Sequence, residues 1–234
     1  RRLLRTLIAS LAFDLAEWAL WVAVLVHAYD DGGAAAAGFA ALGLLVPSAL
    51  AAPIAGAVAD GPRPERVLVI GYAAEAVGLI AATVSVYVGW PLWVVIAFTG
   101  LALAALTFAR PSTAVVIPGL VSTPGELTAA NLLNGGCDGA SGLLGPLAAA
   151  AVLSVDGPRA VFAMCAGLVV LAATATVPLG FDRGAQRWID ASAVERVRTR
   201  SALRAMGACL RSLAARPATL LLLIVLGGQF VLVG

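Results

Sequence analysis

Apolar residues occur along this chain in long runs that short polar segments separate. A run needs about 20 residues to cross the hydrocarbon core of a bilayer as a helix. Six runs reach that length: Thr6–Tyr29, Ala34–Ala59, Val67–Val88, Pro91–Thr113, Leu132–Val155 and Arg159–Phe181. Leu, Ala and Val dominate them without the alternation of a barrel strand. Because lipid offers no partners to backbone polar groups, the pattern predicts an all-α membrane protein with a six-helix transmembrane bundle.

The segments between the runs predict the connections. Asp30–Gly33 and Asp156–Pro158 carry the Asp, Gly and Pro residues that are typical of turns. The longest predicted connection within the bundle is Pro111–Asn131, which would join helices four and five.

Composition supports a lipid environment. The chain is 61% hydrophobic and 12% charged, with a mean hydropathy of +0.98, whereas soluble domains carry about 25% charged residues. All 15 basic residues are arginines, and the net charge is +2. We interpret the arginines as marks of one membrane face, and we expect no nucleic-acid partner. The three cysteines show no metal or disulfide spacing, so we also expect no metal and no cofactor.

The arginines predict the orientation of the helices. With the N-terminus in the cytoplasm, fourteen of the 15 arginines face inside, and Arg159 alone faces outside. The chain is therefore predicted to be a multi-pass protein of the cell (plasma) membrane. In this assignment Arg110 lies before Pro111 at the inner end of helix four, where it anchors the helix at the interface.

Three regions are predicted. Residues 1–181 form the N-terminal six-helix bundle. Residues 182–216 hold eight arginines and form an amphipathic cytoplasmic linker. Residues 217–234 begin a seventh helix and a second bundle. Since the sequence opens on Arg1 and stops inside an apolar run, we expect a longer protein whose C-terminal half is a partner of this one.

Four acidic residues lie at membrane depth in the prediction. Asp14 and Glu17 share one face of helix one, Glu75 lies in helix three, and Asp138 lies in helix five. Each charge there costs at least ~2.5–3.5 kcal/mol, so such groups normally face a bundle interior or an aqueous path. We expect no basic residue at the same depth to pair with them. Asp14, Glu17 and Asp138 are the candidates for proton coupling, while glycines on either side of Glu75 predict close packing there.

Helix five carries a polar stripe and several small residues. The stripe recurs at steps of three or four residues and comprises Asn131, Asn134, Asp138, Ser141 and Gly145. It indicates either the wall of a water-filled path, with Asn134 as a further translocation candidate, or hydrogen bonds between helices. Its small residues, among them Gly142 and Gly145, predict a tight crossing with another helix.

The sequence Gly139-Ala140-Ser141-Gly142 is similar to the nucleophile motif of rhomboid proteases. A serine nucleophile needs a base within hydrogen-bonding reach. His27 is the single histidine and lies on helix one, whereas a rhomboid would carry its histidine on a later helix. We therefore expect no enzyme.

Three stretches resemble the major facilitator superfamily. Gly56-Ala57-Val58-Ala59-Asp60, with Arg63 and Arg66, resembles the signature of the cytoplasmic loop between helices two and three. Pro124–Asn131 resembles the loop before helix five of an exporter branch related to siderophore exporters. Gly145-Pro146, followed by Ala149 and Ala150, is similar to the helix-five antiporter motif, to which Gly142 also belongs.

The resemblance implies the N-terminal half of a 12-helix major facilitator fold. It also implies that Asp60, Arg63 and Arg66 form a cytoplasmic gate, with Gly56 allowing close helix approach. The sequence departs from the family pattern at Gly61, where a basic residue is usual, and at Ala149 and Ala150, where glycines are usual.

The sequence thus predicts a secondary active transporter, a proton-coupled exporter of a small molecule such as a drug or a siderophore. Its partners would be the lipid bilayer, the substrate, protons and the C-terminal half. One alternative is a membrane sensor or scaffold that keeps a transporter-like fold and moves nothing. Another is a homodimer of six-helix halves.

Overall fold

The computed structural model describes residues 2–59 and 64–180, and this part of the chain consists of long α-helices without strands. The helices are α1 (Arg2–Ala59), α2 (Pro64–Val88), α3 (Leu92–Gly119) and α4 (Pro124–Gly180). All four helices in this region are long and apolar enough to cross a membrane. The predicted class, an all-α membrane protein, is therefore confirmed. The predicted linker 182–216 and seventh helix 217–234 lie outside the described residues.

Glycines interrupt the two longest helices. Gly32 (φ −151°, ψ 22°) and Gly33 (φ 67°, ψ −159°) break α1, and Gly157 (φ 72°, ψ −170°) breaks α4. Positive φ with extended ψ is a conformation that only glycine adopts at low cost. Both breaks fall in segments that the sequence predicts as turns. We name the parts α1a (residues 2–31), α1b (34–59), α4a (124–156) and α4b (158–180).

The connection between α3 and α4 is much shorter than predicted. The sequence predicted a helix end at Thr113 and a connection over Pro111–Asn131, but α3 continues to Gly119 and α4 begins at Pro124. Pro111 and Pro118 both lie inside α3. Membrane helices tolerate proline because neighbouring helices and Ser or Thr side chains satisfy the freed backbone groups. Pro111 was therefore a poor marker of the helix end.

Local side-chain bonds fix the start of α4. The Glu126 amide donates to Thr123 Oγ1 at 3.2 Å, and the Ser122 amide donates to Glu126 Oε2 at 2.8 Å. A threonine before the first turn and a glutamate three residues later are the elements of a capping box. Pro124 occupies the first helical position, where its missing N–H costs nothing.

The helical segments approach one another through small residues. A Cβ atom added to Gly145 of α4a would lie 2.6 Å from Trp18 Cβ and 3.0 Å from the Leu15 carbonyl oxygen of α1a. A Cβ added to Gly100 of α3 would lie 2.6 Å from the Gly43 carbonyl oxygen of α1b. Such distances leave no room for a side chain. The tight crossing predicted for helix five is therefore present, and its partner is α1a.

Helix α2 approaches α3 closely at Gly78 and lies at ordinary contact distance from it at Gly71. A Cβ added to Gly78 would lie 2.9 Å from Ala102 Cβ, and one added to Gly71 would lie 3.4 Å from Ala109 Cβ. On its other side, α2 reaches α4b, where Thr83 Oγ1 lies 3.1 Å from the Phe162 carbonyl oxygen, while its shorter hydrogen bond goes to the Leu79 carbonyl oxygen at 2.7 Å. The close packing predicted around Glu75 is therefore observed.

We predict that Gly145→Ala destabilises the fold. The added methyl group collides with backbone atoms of α1a as well as with Trp18, and overpacking of this kind typically costs 1–3 kcal/mol. Thermal unfolding in detergent should therefore shift to lower temperature. Gly139→Ala is the matched control on the same helix, because its Cβ would meet nothing within 4 Å. Equal stability of the two variants would contradict the tight crossing.

Candidate functional site

One arginine and three carboxylates meet between the helices. Arg110 Nη2 donates to Glu17 Oε2 and lies 3.5 Å from Asp14 Oδ1 and 4.0 Å from Asp138 Oδ1. Asp14 and Glu17 are three residues apart on one face of α1a, while Asp138 comes from α4a. We call these four residues the Arg110 cluster. It joins α1a, α3 and α4a through charge.

The cluster corrects two predictions. The sequence was taken to place Arg110 at the inner end of helix four, and no basic residue was expected at the depth of the acids. In the structure Arg110 is nine positions before Gly119, which is about 14 Å along the helix axis. The apolar run Ala114–Ile117, which follows Pro111, was the signal that the helix continues. Arg110 therefore pairs with the acids and no longer counts among the arginines that mark the cytoplasmic face.

The two sides of the cluster differ in exposure. The side chains of Asp14 and Glu17 are 11% and 16% exposed, whereas those of Arg110 and Asp138 are 46% and 53% exposed. The α1a carboxylates thus contact the guanidinium on its buried side. Asp138 is the most weakly paired acid, since it is the farthest from Arg110, and it is also the most accessible.

A cavity of about 450 Å³ lies beside the cluster. Its polar lining comes from α1a, α2, α3 and α4a and comprises Ser10, Asp14, Tyr72, Arg110, Thr113, Asn131, Asn134 and Asp138. The rings of Phe13 and Tyr72 also line it, with centroids 4.4 Å apart. Mixed polar and apolar walls of this kind are typical of small-molecule sites.

One buried polar atom on the cavity wall, Asn134 Oδ1, has no hydrogen-bond partner among the described residues. A buried polar group left unpaired costs about 1–3 kcal/mol. A shift of the cavity wall that uncovers this atom would let it bind a polar group of an entering molecule.

Glu75 is a fourth acid near this region and stands apart from the cluster. Its side chain is fully buried, and neither carboxylate oxygen has a hydrogen-bond partner in the described part of the chain. Tyr72, one turn earlier on the same face of α2, lines the cavity. The sequence predicted packing at Glu75 but did not indicate how completely its carboxyl group is isolated.

The remaining predicted site residues are not brought to the cluster. Gly142 and Gly145 contact Trp18 at the α1a–α4a crossing, and half-buried Pro146 follows them on α4a. Arg66 is exposed near the start of α2. A Cβ on Gly56 would meet no described atom within 4 Å, so the close approach expected there does not occur within this region. Asp60 and Arg63 lie outside the described residues.

Long apolar helices that enclose a charged cluster and a polar cavity define a membrane protein of the transport class. A sequence model of the Major Facilitator Superfamily matches residues 6–234. The chain belongs to the major facilitator superfamily, whose members are transporters. Searches of curated proteins and of solved structures found no match. The family resemblance inferred from the sequence is thereby confirmed, and a multi-pass membrane protein follows.

We predict that Arg110→Leu destabilises the protein by leaving the α1a carboxylates without their cation. Breaking a fully buried pair costs about 3–5 kcal/mol, and the partial exposure of Arg110 should reduce this loss. Thermal unfolding in detergent at neutral pH measures it. The double variant Arg110→Leu/Glu17→Gln should recover part of the loss, because the amide removes one uncompensated charge. If the second substitution adds to the loss instead, the ion pair is not what stabilises this region.

Proposed function

We propose that this chain forms the N-terminal half of a proton-coupled secondary transporter that exports a small molecule by alternating access. The observation that carries the proposal is the Arg110 cluster at the wall of a polar cavity. Membership of the major facilitator superfamily supports transport in general. The cluster supports the choice of protons as the coupling ion.

The charge balance of the Arg110 cluster favours proton binding. Three carboxylates share one guanidinium, so the cluster carries excess negative charge in a medium of low dielectric constant, where like charges repel strongly. Binding one proton relieves that repulsion. Asp138 is the natural first acceptor, because it is the most accessible carboxylate and the farthest from Arg110.

Protonation would also change how the helices are held together. A neutral Asp138 binds Arg110 less tightly, which loosens the link between α4a and α3. A ligand or a proton shifts a conformational equilibrium by its differential affinity for the two states. Proton binding at Asp138 would thus favour a state in which α4a moves away from the Arg110 side chain.

The cavity offers one wall of a substrate site. Its aromatic pair, Phe13 and Tyr72, and its polar side chains, among them Asn134, suit a small amphipathic molecule such as a drug or a siderophore-like compound. In alternating access the opposite wall belongs to a second bundle, and the site lies near the midplane between the two. The export direction is supported by the exporter-like sequences at Pro124–Asn131 and Gly145-Pro146.

The proposed architecture has six spans in residues 1–181. The glycine breaks let α1 and α4 cross the membrane twice each, since one straight helix of 58 residues would be about 87 Å long, nearly three times the hydrocarbon core. The N-terminus lies in the cytoplasm of a plasma-membrane protein. Residues 182–216 form the basic linker, and residues 217–234 begin the seventh span.

The cytoplasmic gate is proposed at the connection between α1 and α2. Asp60, Arg63 and Arg66 would together form a latch against the other half of the transporter. With Gly61 in place of the usual basic residue, the gate has one cationic group fewer. Its closed state should then be held less firmly than in relatives that carry the full motif.

Flux driven by a pH gradient tests the function. The natural full-length chain is reconstituted into vesicles, and a panel of lipophilic drugs and siderophores is screened for uptake with and without an imposed gradient. We predict gradient-dependent flux of at least one compound. Asp138→Asn and Asp14→Asn should abolish the gradient dependence, because an amide binds no proton at neutral pH. Asp156→Asn, at an exposed position, is the control and should behave as the unmodified chain.

Two results would contradict the proposal in different ways. If flux is the same with and without the gradient, and the same in the two amide variants, the protein is a transporter without proton coupling. Absence of flux for every compound, with correctly folded protein, would favour the sensor or scaffold alternative.

The six-span architecture predicts alternating accessibility of the connections. In a chain without native cysteines, Asp31→Cys and Asp156→Cys should react with a membrane-impermeant thiol reagent on intact cells. Ser122→Cys should react after permeabilisation only. All three positions are exposed. Labelling of Ser122→Cys but not of Asp31→Cys on intact cells would mean the opposite orientation. Labelling of both from the same side would contradict the three proposed crossings between them, those of α1b, α2 and α3.

A further inference from the structure

Glu75 is the most isolated ionisable group in the described part of the chain. Its relative exposure is 1%, and both carboxylate oxygens lack a hydrogen-bond partner there. One turn later on α2, Gly78 allows a close approach to α3, since an added Cβ would lie 3.2 Å from Ala102 Cα and from the Phe98 carbonyl oxygen.

The ionisable groups that interact electrostatically with Glu75 provide no free counter-ion among the described residues. Glu17 and Asp14 face it from α1a, Arg110 faces it from α3, and Cys165 faces it from α4b. Both α1a acids repel an ionised Glu75. Arg110 would attract it, but the guanidinium already bonds to Glu17 and lies 3.5 Å from Asp14. The guanidinium therefore pairs with Glu17 and Asp14 and does not serve as the counter-ion of Glu75 in this conformation.

We propose that Glu75 is a second proton-binding residue, which holds its proton in this conformation and exchanges it through the cavity during the transport cycle. The inference rests on the proposed proton-coupled transport. An ionised carboxylate without partners in a protein interior costs several kcal/mol, so Glu75 is neutral here. Its proton is lost when the carboxyl group meets water or when Arg110 turns towards it.

The route to the cavity passes Tyr72. This residue lies one turn from Glu75 on the same face of α2 and lines the cavity, and Phe13 of α1a packs against its ring. Glu75 itself is not among the residues that line the cavity, so Tyr72 is its nearest cavity-lining neighbour along α2. A shift of α1a relative to α2 would part the two rings and open the carboxyl group to water. The same shift would disturb the hold of Asp14 and Glu17 on Arg110, so both proton sites would respond to one movement.

Infrared spectroscopy of the full-length protein tests the protonation state directly. A protonated carboxyl group gives a carbonyl stretching band that shifts in deuterated water. We expect such a band at neutral pH in the unmodified protein and its loss in Glu75→Gln. Glu75→Met provides a second variant of similar size should the buried amide impair folding. The band should persist in Asp156→Asn. If the unmodified protein shows no band that the Glu75 variants lose, the proposal is overturned.

Transport measurements separate a working proton site from a neutral structural group. Glu75→Gln should still exchange labelled for unlabelled substrate at equal pH, while uphill transport driven by a pH gradient should fall to the level seen without a gradient. The number of protons moved per substrate should drop by one. Gradient-driven transport and proton count unchanged in both Glu75 variants would overturn the proposal and leave Glu75 a packing residue.

The outcomes distinguish this inference from the function on which it rests. If the unmodified protein shows no gradient-driven flux, the proposed function itself fails. If it shows such flux, loses it in Asp138→Asn and keeps it in Glu75→Gln, then coupling belongs to the Arg110 cluster and the Glu75 proposal is wrong.

Discussion

The cost of a charge in lipid is the constraint around which this bundle is arranged. Arg110 lies in the interior of a long apolar helix, and its guanidinium is tolerable there because Glu17, Asp14 and Asp138 surround it. Those acids come from two other helical segments. The pairing therefore links α1a, α3 and α4a to one another while it compensates the arginine and part of the negative charge of the acids.

Close helix crossings make this pairing possible. Gly145 lets α4a approach Trp18 of α1a, and Gly78 lets α2 approach α3. In a membrane, where lipid is as apolar as the helix faces, association depends on such packing and on polar contacts between helices. The small residues bring the backbones together, and the short distance then allows a carboxylate and a guanidinium on different helices to meet.

The acidic side chains in the interior differ in how well they are paired. The weakly paired ones are the groups that we connect with function. Glu17 is firmly paired, Asp138 is weakly paired and accessible, and Glu75 has no partner among the described residues. Groups that are not fully satisfied in one conformation gain from a change of conformation. A bundle in which Glu17 is firmly paired while Asp138 and Glu75 are not is thus suited to respond to protons. A fully paired network would resist a change of conformation.

The sequence by itself determined the class of the protein, the membrane environment and the position of the glycine breaks, because run length, charge content and turn residues are local properties. It also indicated Asp14, Glu17, Asp138 and the crossing at Gly145. It did not reveal the role of Arg110, since Pro111 next to it resembled a helix end and the two closer partners, Glu17 and Asp14, lie more than ninety residues away along the chain. Only the tertiary structure decided which acids are paired and that Glu75 is not. Pairing depends on distances between side chains of different helices, and the crossing geometry that sets those distances is not encoded in the periodicity of any single helix.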